Sequence, residues 1–169
     1  YINVLKKMGA RIKIKKETNK AGEVTGSVKV EYSNLKGVAI PGKLSPYLID
    51  EYPILSIAAS VAKGVTRMNG LSELKYKESD RIKSIFENLK KLKINCKVVN
   101  DNIIIKGSNK RPNGKVTIKT QHDHRIYAAF KTFELICNHK LKFDDQDCIN
   151  ISYPEFHKHL DSLKIENDN

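Results

Sequence analysis

The chain has 169 residues, 40% of them hydrophobic, and carries a formal net charge of +12 at pH 7. This size and apolar content favour one folded domain spanning 1–169 and argue against an intrinsically disordered chain. No apolar run approaches the roughly eighteen residues of a membrane span, and no signal-peptide pattern is visible, so we expect no membrane partner and a cytoplasmic location. Because the sequence starts at Tyr1 inside an amphipathic segment, without methionine, we expect a fragment or a processed product.

The positive charge by itself would suggest a nucleic-acid-binding module. However, the basic residues are scattered along every segment, without an aromatic-interleaved patch or a basic tail. We therefore favour a solvated basic surface and expect no nucleic-acid partner. Only five of the 31 basic residues are arginine, so an arginine inside a motif is a candidate for bidentate anion binding.

The three cysteines, Cys96, Cys137 and Cys148, are isolated along the chain and odd in number. This pattern is typical of a protein from a reducing compartment. Neither the cysteines nor the five histidines stand at a recognised metal-ligand spacing, so we predict no metal site and no cofactor.

Residues 1–40 are predicted to form a helix followed by a small β meander. The helix ends at Gly9, and a turn is expected over 19–22. Alternating apolar and polar residues predict three strands, at 11–15, 28–32 and 35–40.

A helical segment is predicted over 46–64, in which Pro53 fits the first turn of a buried helix with apolar residues on nearly every side. Asp50 and Glu51 lie just ahead of that first turn, beside an otherwise apolar element. Two interpretations of Asp50 remain open at this point: ordinary helix capping, because acidic residues are favoured at that end, or a functional carboxylate.

The most charged stretch is Lys77-Glu-Ser-Asp-Arg81, which precedes an amphipathic helix predicted over 79–93. Lys77 and Arg81 are four residues apart, which would place two like charges on one helix face at a cost of roughly 0.2–0.5 kcal/mol. A bound phosphate or carboxylate would compensate this repulsion, since the helix start also offers free N–H groups and a positive dipole.

Three further regions read as strands: 65–68, a hairpin formed by 94–99 with 103–106, and 115–119. A helix followed by a hairpin and a strand thus occurs twice, at 1–40 and at 79–119. The fold class predicted is mixed α/β with repeated βαβαββ units.

A second charged helix start occurs at Asp123-His-Arg125, ahead of an amphipathic helix predicted over 124–136. His124 on its own is more often a structural histidine than a catalyst. A strand follows at 141–143. Ser152-Tyr-Pro-Glu155 has the form of a capping box that opens a last helix over 153–163.

Four motifs in this order resemble the C-terminal part of the 5-enolpyruvylshikimate-3-phosphate synthase family, also called 3-phosphoshikimate 1-carboxyvinyltransferases. They are Leu48-Ile-Asp-Glu-Tyr-Pro53, Met68-Asn-Gly-Leu71 running into Lys77-Glu-Ser-Asp-Arg81, Thr120 with Asp123-His-Arg-Ile126, and Ser152-Tyr-Pro-Glu-Phe156. The resemblance implies two lobes built from βαβαββ repeats, of which this chain would be part of one. It also implies transfer of the enolpyruvyl group of phosphoenolpyruvate to shikimate 3-phosphate, with release of phosphate.

The resemblance assigns a role to six residues of this sequence. Asp50 matches the proton-accepting aspartate, Glu78 lies beside the methylene carbon, and His124 is next to the substrate-binding arginine of its motif, so the resemblance implies catalytic roles for these three residues. Lys77 matches a contact to shikimate 3-phosphate, whereas Arg81 and Arg125 match the arginines that hold phosphoenolpyruvate. Some family members carry a further phosphoenolpyruvate-binding lysine where this sequence has Ile151.

The family's N-terminal substrate-binding residues and most of its opposite lobe have no counterpart in this sequence. We therefore expect the 169-residue chain to be inactive alone, and an N-terminal lobe supplied in trans is a candidate partner. Two alternatives remain open: a non-catalytic remnant of a split or degraded gene, and a UDP-N-acetylglucosamine enolpyruvyl transferase of the same superfamily.

Overall fold

The computed structural model describes residues 1–20, 23–108, 116–137 and 140–163. Within these ranges the helices are α1 (Ile2–Lys7), α2 (Ser45–Leu48), α3 (Tyr52–Val61), α4 (Arg81–Lys91), α5 (His124–Glu134) and α6 (Phe156–Asp161). The strands are β1 (Arg11–Lys20), β2 (Glu23–Glu31), β3 (Ala39–Ile40), β4 (Gly64–Met68), β5 (Asn95–Val99), β6 (Asn102–Gly107), β7 (Thr117–Ile118) and β8 (Lys142–Phe143). The predicted mixed α/β class is confirmed. None of the helices in these ranges is both long and apolar enough for a membrane crossing.

A four-stranded sheet carries the helices that form the site. Its strand order is β3-β4-β6-β5, with β3 parallel to β4 and the other neighbours antiparallel. The element order from β3 to β6 is one complete βαβαββ unit, with α3 and α4 as its main helices. Leu55 of α3 and Ile85 of α4 are fully buried in one core with Ile105 of β6. Since α5 packs on both α3 and α4, three helices are held together over this unit.

Parts of further units flank the complete one. On one side, α1 is followed by the antiparallel hairpin of β1 and β2. On the other side, β7 and β8 form a parallel pair with α5 between them in sequence. The predicted strands at 11–15, 28–32 and 141–143 are confirmed in type, and the strand predicted at 115–119 is observed at Thr117–Ile118. Residue 115 and the second half of the turn predicted over 19–22 lie outside the described residues.

The prediction of a three-stranded meander over 11–40 is wrong. Of the segment 35–40, Ala39–Ile40 forms a strand, and it pairs with β4 rather than with β2. The preceding residues run along the end of α3 and the start of β4, where Gly37 N–H donates to Lys63 O at 2.8 Å. A Cβ atom at Gly37 would lie 2.3 Å from Val65 O, so only glycine permits this close approach.

The helix predicted over 46–64 is interrupted. The short α2 ends at Leu48, and α3 begins at Tyr52 with Pro53 in its first turn. Proline has no N–H to continue a helix, and its ring would meet the carbonyl of residue 49 in an unbroken one. Because of the break, Asp50 does not belong to either helix, and its backbone carbonyl is free to accept hydrogen bonds from outside them.

Two predicted helix starts also need correction. Helix α4 begins at Arg81, with Asp80 as its N-cap, so Lys77 lies outside it and does not share a helix face with Arg81. Helix α6 begins at Phe156, and no side chain caps it. The capping box predicted from Ser152 is therefore wrong, because residues 151–155 form turns and the Ser152 N–H donates to Ile149 O instead.

Candidate anion-binding site

The predicted site residues come together where three helices begin. Asp50 lies in the break before α3, Arg81 is the first residue of α4, and Arg125 is the second residue of α5. The Asp50 carboxylate lies 2.8 Å from Arg81 Nη1 and 3.6 Å from Arg125 Nη2. It also lies 3.8 Å from Lys77 Nζ. One carboxylate thus meets three cations that are distant in sequence.

Arg81 is the centre of this cluster and has no solvent exposure. Its Nε donates to Asp123 Oδ2 at 2.8 Å, its Nη1 donates to Asp50, and its Nη2 donates to Glu78. Burial disfavours the charged guanidinium, but the hydrogen bonds to Asp123 and Asp50 outweigh it and raise the pKa of Arg81. A buried cation of this kind is tolerated because each edge of its planar fork has a carboxylate partner.

The anion that the sequence analysis expected beside Lys77 and Arg81 is thus supplied by the protein's own carboxylates. Glu78 and Asp50 are 49% and 40% exposed, whereas Asp123 is completely buried. Solvent therefore reaches the two carboxylates that face Nη1 and Nη2, and does not reach the one that faces Nε.

Asp50 is a carboxylate at neutral pH. Burial raises its pKa, but the hydrogen bond from Arg81 and the charges of Arg125 and Lys77 outweigh this effect, so the pKa of Asp50 is lowered from its ordinary value. A carboxylate of lowered pKa is a weak base. It would become a stronger base if another anion took its cationic partners.

Arg125 and Lys77 are the accessible cations of the cluster, with side chains that are 37% and 34% exposed. Arg125 Nη1 donates to the backbone oxygen of Asp50 at 3.2 Å, which the break before α3 leaves free. The same nitrogen lies 3.8 Å from Glu51. The guanidinium is therefore steered toward Asp50 but keeps an open side for a ligand.

His124 and Ile151 contribute less than the other predicted positions. His124 is the first residue of α5 and is half-buried, and within the described residues its side chain makes no hydrogen bond or ion pair. Ile151 is 93% exposed and brings no cation. The structure thus joins five of the predicted residues through ion pairs to Asp50 or Arg81, namely Asp50, Lys77, Glu78, Arg81 and Arg125. His124 lies beside them without a partner of its own in the part of the chain that the structure describes.

The role of Asp123 is not predicted by the sequence, although the residue belongs to one of the four motifs. Its carboxylate caps α5 by accepting from the backbone N–H groups of Arg125 and Ile126, and it also binds Ser79 and Arg81. An aspartate directly before a predicted helix is a capping signal that could have been noticed, but its link to Arg81 depends on the tertiary fold.

The concave surface at the cluster is small. A cavity of about 170 Å³ lies between Asp50, Arg125 and the apolar side of α5. Ligand pockets typically enclose roughly 300–1,000 Å³, so this is one wall of a site rather than a complete one. A larger apolar groove of about 520 Å³ lies elsewhere, between α1 and the hairpin of β1 and β2, and holds none of the charged cluster.

No group of three metal-ligating side chains occurs within the ranges that the structure describes. All three cysteines are free, and burial raises the pKa of each thiol, to about 11 for Cys137 and Cys148. These thiols are therefore protonated and unreactive at neutral pH. The chemistry of the cluster is that of carboxylates and cations.

The fold and the cluster define a mixed α/β protein in which carboxylates and cations meet at the starts of three helices. The chain belongs to the EPSP synthase (3-phosphoshikimate 1-carboxyvinyltransferase) family, whose model matches residues 1–160. It is 43% identical over 154 residues to the 3-phosphoshikimate 1-carboxyvinyltransferase of Clostridium tetani, covering 91% of this chain and 35% of that protein. The corresponding protein of Sulfurihydrogenibium sp. is 39% identical over 163 residues and is covered to 37%.

A solved structure gives the same result. The EPSP synthase of Acinetobacter baumannii matches with a TM-score of 0.89 and 33% sequence identity, over 95% of this chain and 38% of that one. The predicted family and the predicted partial fold are confirmed. The chain spans somewhat more than a third of the length of these relatives.

Proposed function

We propose that this chain supplies one wall of the active site of a 3-phosphoshikimate 1-carboxyvinyltransferase. The substrates would be phosphoenolpyruvate and shikimate 3-phosphate, and the location cytoplasmic. The observation that carries the proposal is the contact of one carboxylate, Asp50, with Arg81, Arg125 and Lys77 at three helix starts. Both substrates are anions, and helix starts with arginines are suited to phosphate and carboxylate groups.

The first half of the reaction is an addition. Arg81 and Arg125 hold phosphoenolpyruvate and Lys77 holds shikimate 3-phosphate. Asp50 accepts the proton of the attacking hydroxyl, whose oxygen forms a bond to the enol carbon, while the protonated form of Glu78 donates a proton to the methylene carbon. An anion that binds Arg81 and Arg125 draws these cations from Asp50, so substrate binding itself increases the basicity of the carboxylate.

The second half is an elimination. A proton leaves the former methylene carbon for Glu78 as the carbon–oxygen bond to phosphate breaks, which regenerates the double bond and releases phosphate. The departing phosphate takes up the proton that Asp50 accepted in the addition, so both carboxyl groups return to their starting state. His124 lies next to Arg125 and has no further assignment beyond that proximity.

The chain alone should not turn over. The wall that it provides is open to water, and orientation of two substrates accounts for about 7–11 kcal/mol of barrier lowering in favourable cases. We propose that an N-terminal polypeptide in trans completes the site. The alternative is that the chain is a remnant without catalysis.

Phosphate release from the two substrates tests this function. The 169-residue chain is measured alone and with an N-terminal polypeptide that corresponds to the part of the relatives it does not match. We expect release only from the pair, and complete loss on Asp50→Ala. Asp101→Ala is the matched control, because Asp101 also pairs with a lysine, Lys75 at 2.6 Å, but lies outside the cluster. No release from the pair would favour the remnant, and rapid release by the lone chain would contradict the role of the missing wall.

A further inference from the structure

Asp123 lies between the starts of α4 and α5 and accepts hydrogen bonds from both. Its Oδ2 accepts from Ser79 Oγ at 3.0 Å and from Arg81 Nε at 2.8 Å. Its Oδ1 accepts from the backbone N–H groups of Arg125 at 2.9 Å and Ile126 at 3.3 Å. The carboxylate is fully buried, so all of these bonds are shielded from water.

We propose that Asp123 is a positioning residue that fixes the two anion-binding arginines, Arg81 and Arg125, relative to each other. This inference rests on the proposed function, in which those arginines hold phosphoenolpyruvate. Asp123 itself touches no substrate. It acts by holding the side chain of one arginine and the backbone of the other with a single carboxylate.

The exposure of the three carboxylates around Arg81 shows which of its bonds an incoming anion can replace. Asp50 and Glu78 face Nη1 and Nη2 and are partly exposed, whereas Asp123 accepts from Nε at 2.8 Å and from Nη2 at 3.4 Å and is buried. A substrate anion can therefore exchange with the first two while Nε stays bound. With Nε held, the plane of the guanidinium is fixed and its two Nη groups keep their direction.

Asp80 is an aspartate N-cap like Asp123, but it makes no hydrogen bond to Arg81. It caps α4 by accepting from the Lys83 N–H at 3.0 Å, and within the described residues its side chain binds no arginine. Asp80 and Asp123 are thus two aspartate N-caps on neighbouring helices of equal length. They differ in burial and in the contacts of Asp123 to Ser79 and Arg81, so Asp80 is the control for the capping role alone.

The test replaces each cap by asparagine in the full 169-residue chain. Asparagine caps helices about as well as aspartate. In Asp123→Asn the oxygen that caps α5 can remain, but an amide N–H₂ then faces the Nε donor of Arg81. We expect affinity for phosphoenolpyruvate, measured by titration calorimetry, to fall about 10-fold or more in Asp123→Asn, as for loss of a charged hydrogen bond. Asp80→Asn should stay within about twofold, and circular dichroism should show folded chains in both cases.

The outcomes separate this inference from the function on which it rests. If phosphoenolpyruvate binds neither to the wild-type chain nor to its pair with the N-terminal polypeptide, the site assignment fails. If the wild-type chain binds and Asp123→Asn binds equally well, or if Asp80→Asn loses as much, the positioning role is overturned while the function stands.

A measurement on the wild-type chain decides the case in which Asp123→Asn does not fold. The side-chain N–H signals of its five arginines can be followed by NMR during addition of phosphoenolpyruvate. We expect the Arg81 Nε proton to exchange slowly with water, before and after addition, while its Nη protons respond. Arg11, whose side chain is 66% exposed, is the reference for fast exchange. An Arg81 Nε proton that exchanges as fast as that of Arg11 would overturn the proposal.

Discussion

Helices α4 and α5 both begin with an aspartate cap and an arginine, but the two starts differ in every tertiary property. The α4 cap, Asp80, binds a single backbone N–H of its own helix. The α5 cap, Asp123, is buried and also binds Ser79 and Arg81. The arginines differ in the opposite sense, since Arg81 of α4 has no exposure and Arg125 of α5 is 37% exposed.

This difference sets how a ligand can reach each cation. Arg81 is buried in its pair with Asp123 and becomes available to a ligand only where Asp50 or Glu78 is replaced, whereas Arg125 and Lys77 are already partly exposed. Residues of the same types at similar helix positions thus have different roles, because the packing of α5 on α4 buries the pair of Arg81 and Asp123. Three predictions follow the contrast from its largest expected effect to its smallest.

The largest effect should come from the two arginines. Arg81→Met leaves the buried carboxylate of Asp123 without its cation, and breaking a buried pair costs about 3–5 kcal/mol of folding free energy. Arg125→Met removes partly exposed ion pairs, which are worth about 0–1 kcal/mol. Urea unfolding of the two variants measures both values, and equal losses would show that burial does not distinguish the two helix starts.

Removal of the buried α5 cap should likewise cost more folding free energy than removal of the α4 cap. Asp80→Ala removes an ordinary cap and should cost about 0.5–2 kcal/mol. Asp123→Ala removes the α5 cap and also leaves the buried Arg81 short of a partner, so we expect a loss at least about 1 kcal/mol larger. Thermal and urea unfolding give the comparison. A smaller loss for Asp123→Ala than for Asp80→Ala would contradict the shared role of Asp123.

The smallest effect concerns pH. The pKa of Asp50 is lowered in the folded chain, so its ion pairs contribute stability above the unfolded aspartate pKa of about 3.9, and that contribution is lost as pH falls through the lower folded value. Because Asp50 is 40% exposed, water screens these pairs and the contribution should stay below about 1 kcal/mol. Asp50→Asn should flatten the decline in stability below about pH 4, as followed by urea unfolding at stepped pH.

Asp144 gives the control for this measurement. Its pKa is also lowered, since hydrogen bonds from Thr120 outweigh the opposing effect of burial, but it lies outside the cluster of cations. Asp144→Asn should therefore flatten the same part of the curve without changing the binding of phosphoenolpyruvate. If neither Asp50→Asn nor Asp144→Asn changed how steeply stability declines at acid pH, the lowered pKa values would be contradicted.

The amphipathic and alternating patterns predicted the type of most elements. Helices α3, α4 and α5 lie within the predicted ranges, and the hairpin of β5 and β6 was placed to within one residue at each end. The errors fall at element ends and at partner choice: the break before α3, the start of α4, the cap of α6 and the partner of β3. These features depend on a proline ring, on the close approach at Gly37 and on hydrogen bonds between distant segments, none of which has a periodic signal.

The sequence by itself determined the family, because four charged motifs stand in the right order and spacing for it, and it singled out Asp50, Glu78, Arg81 and Arg125. It could not decide which of these charges is buried or which is open to a ligand. The tertiary structure decided that Arg81 is closed in by three carboxylates while Arg125 keeps an open side. The physical reason is that desolvation and charge pairing depend on contacts between residues up to 75 positions apart in the sequence. A motif contains only a few neighbouring residues and therefore carries no information about those contacts.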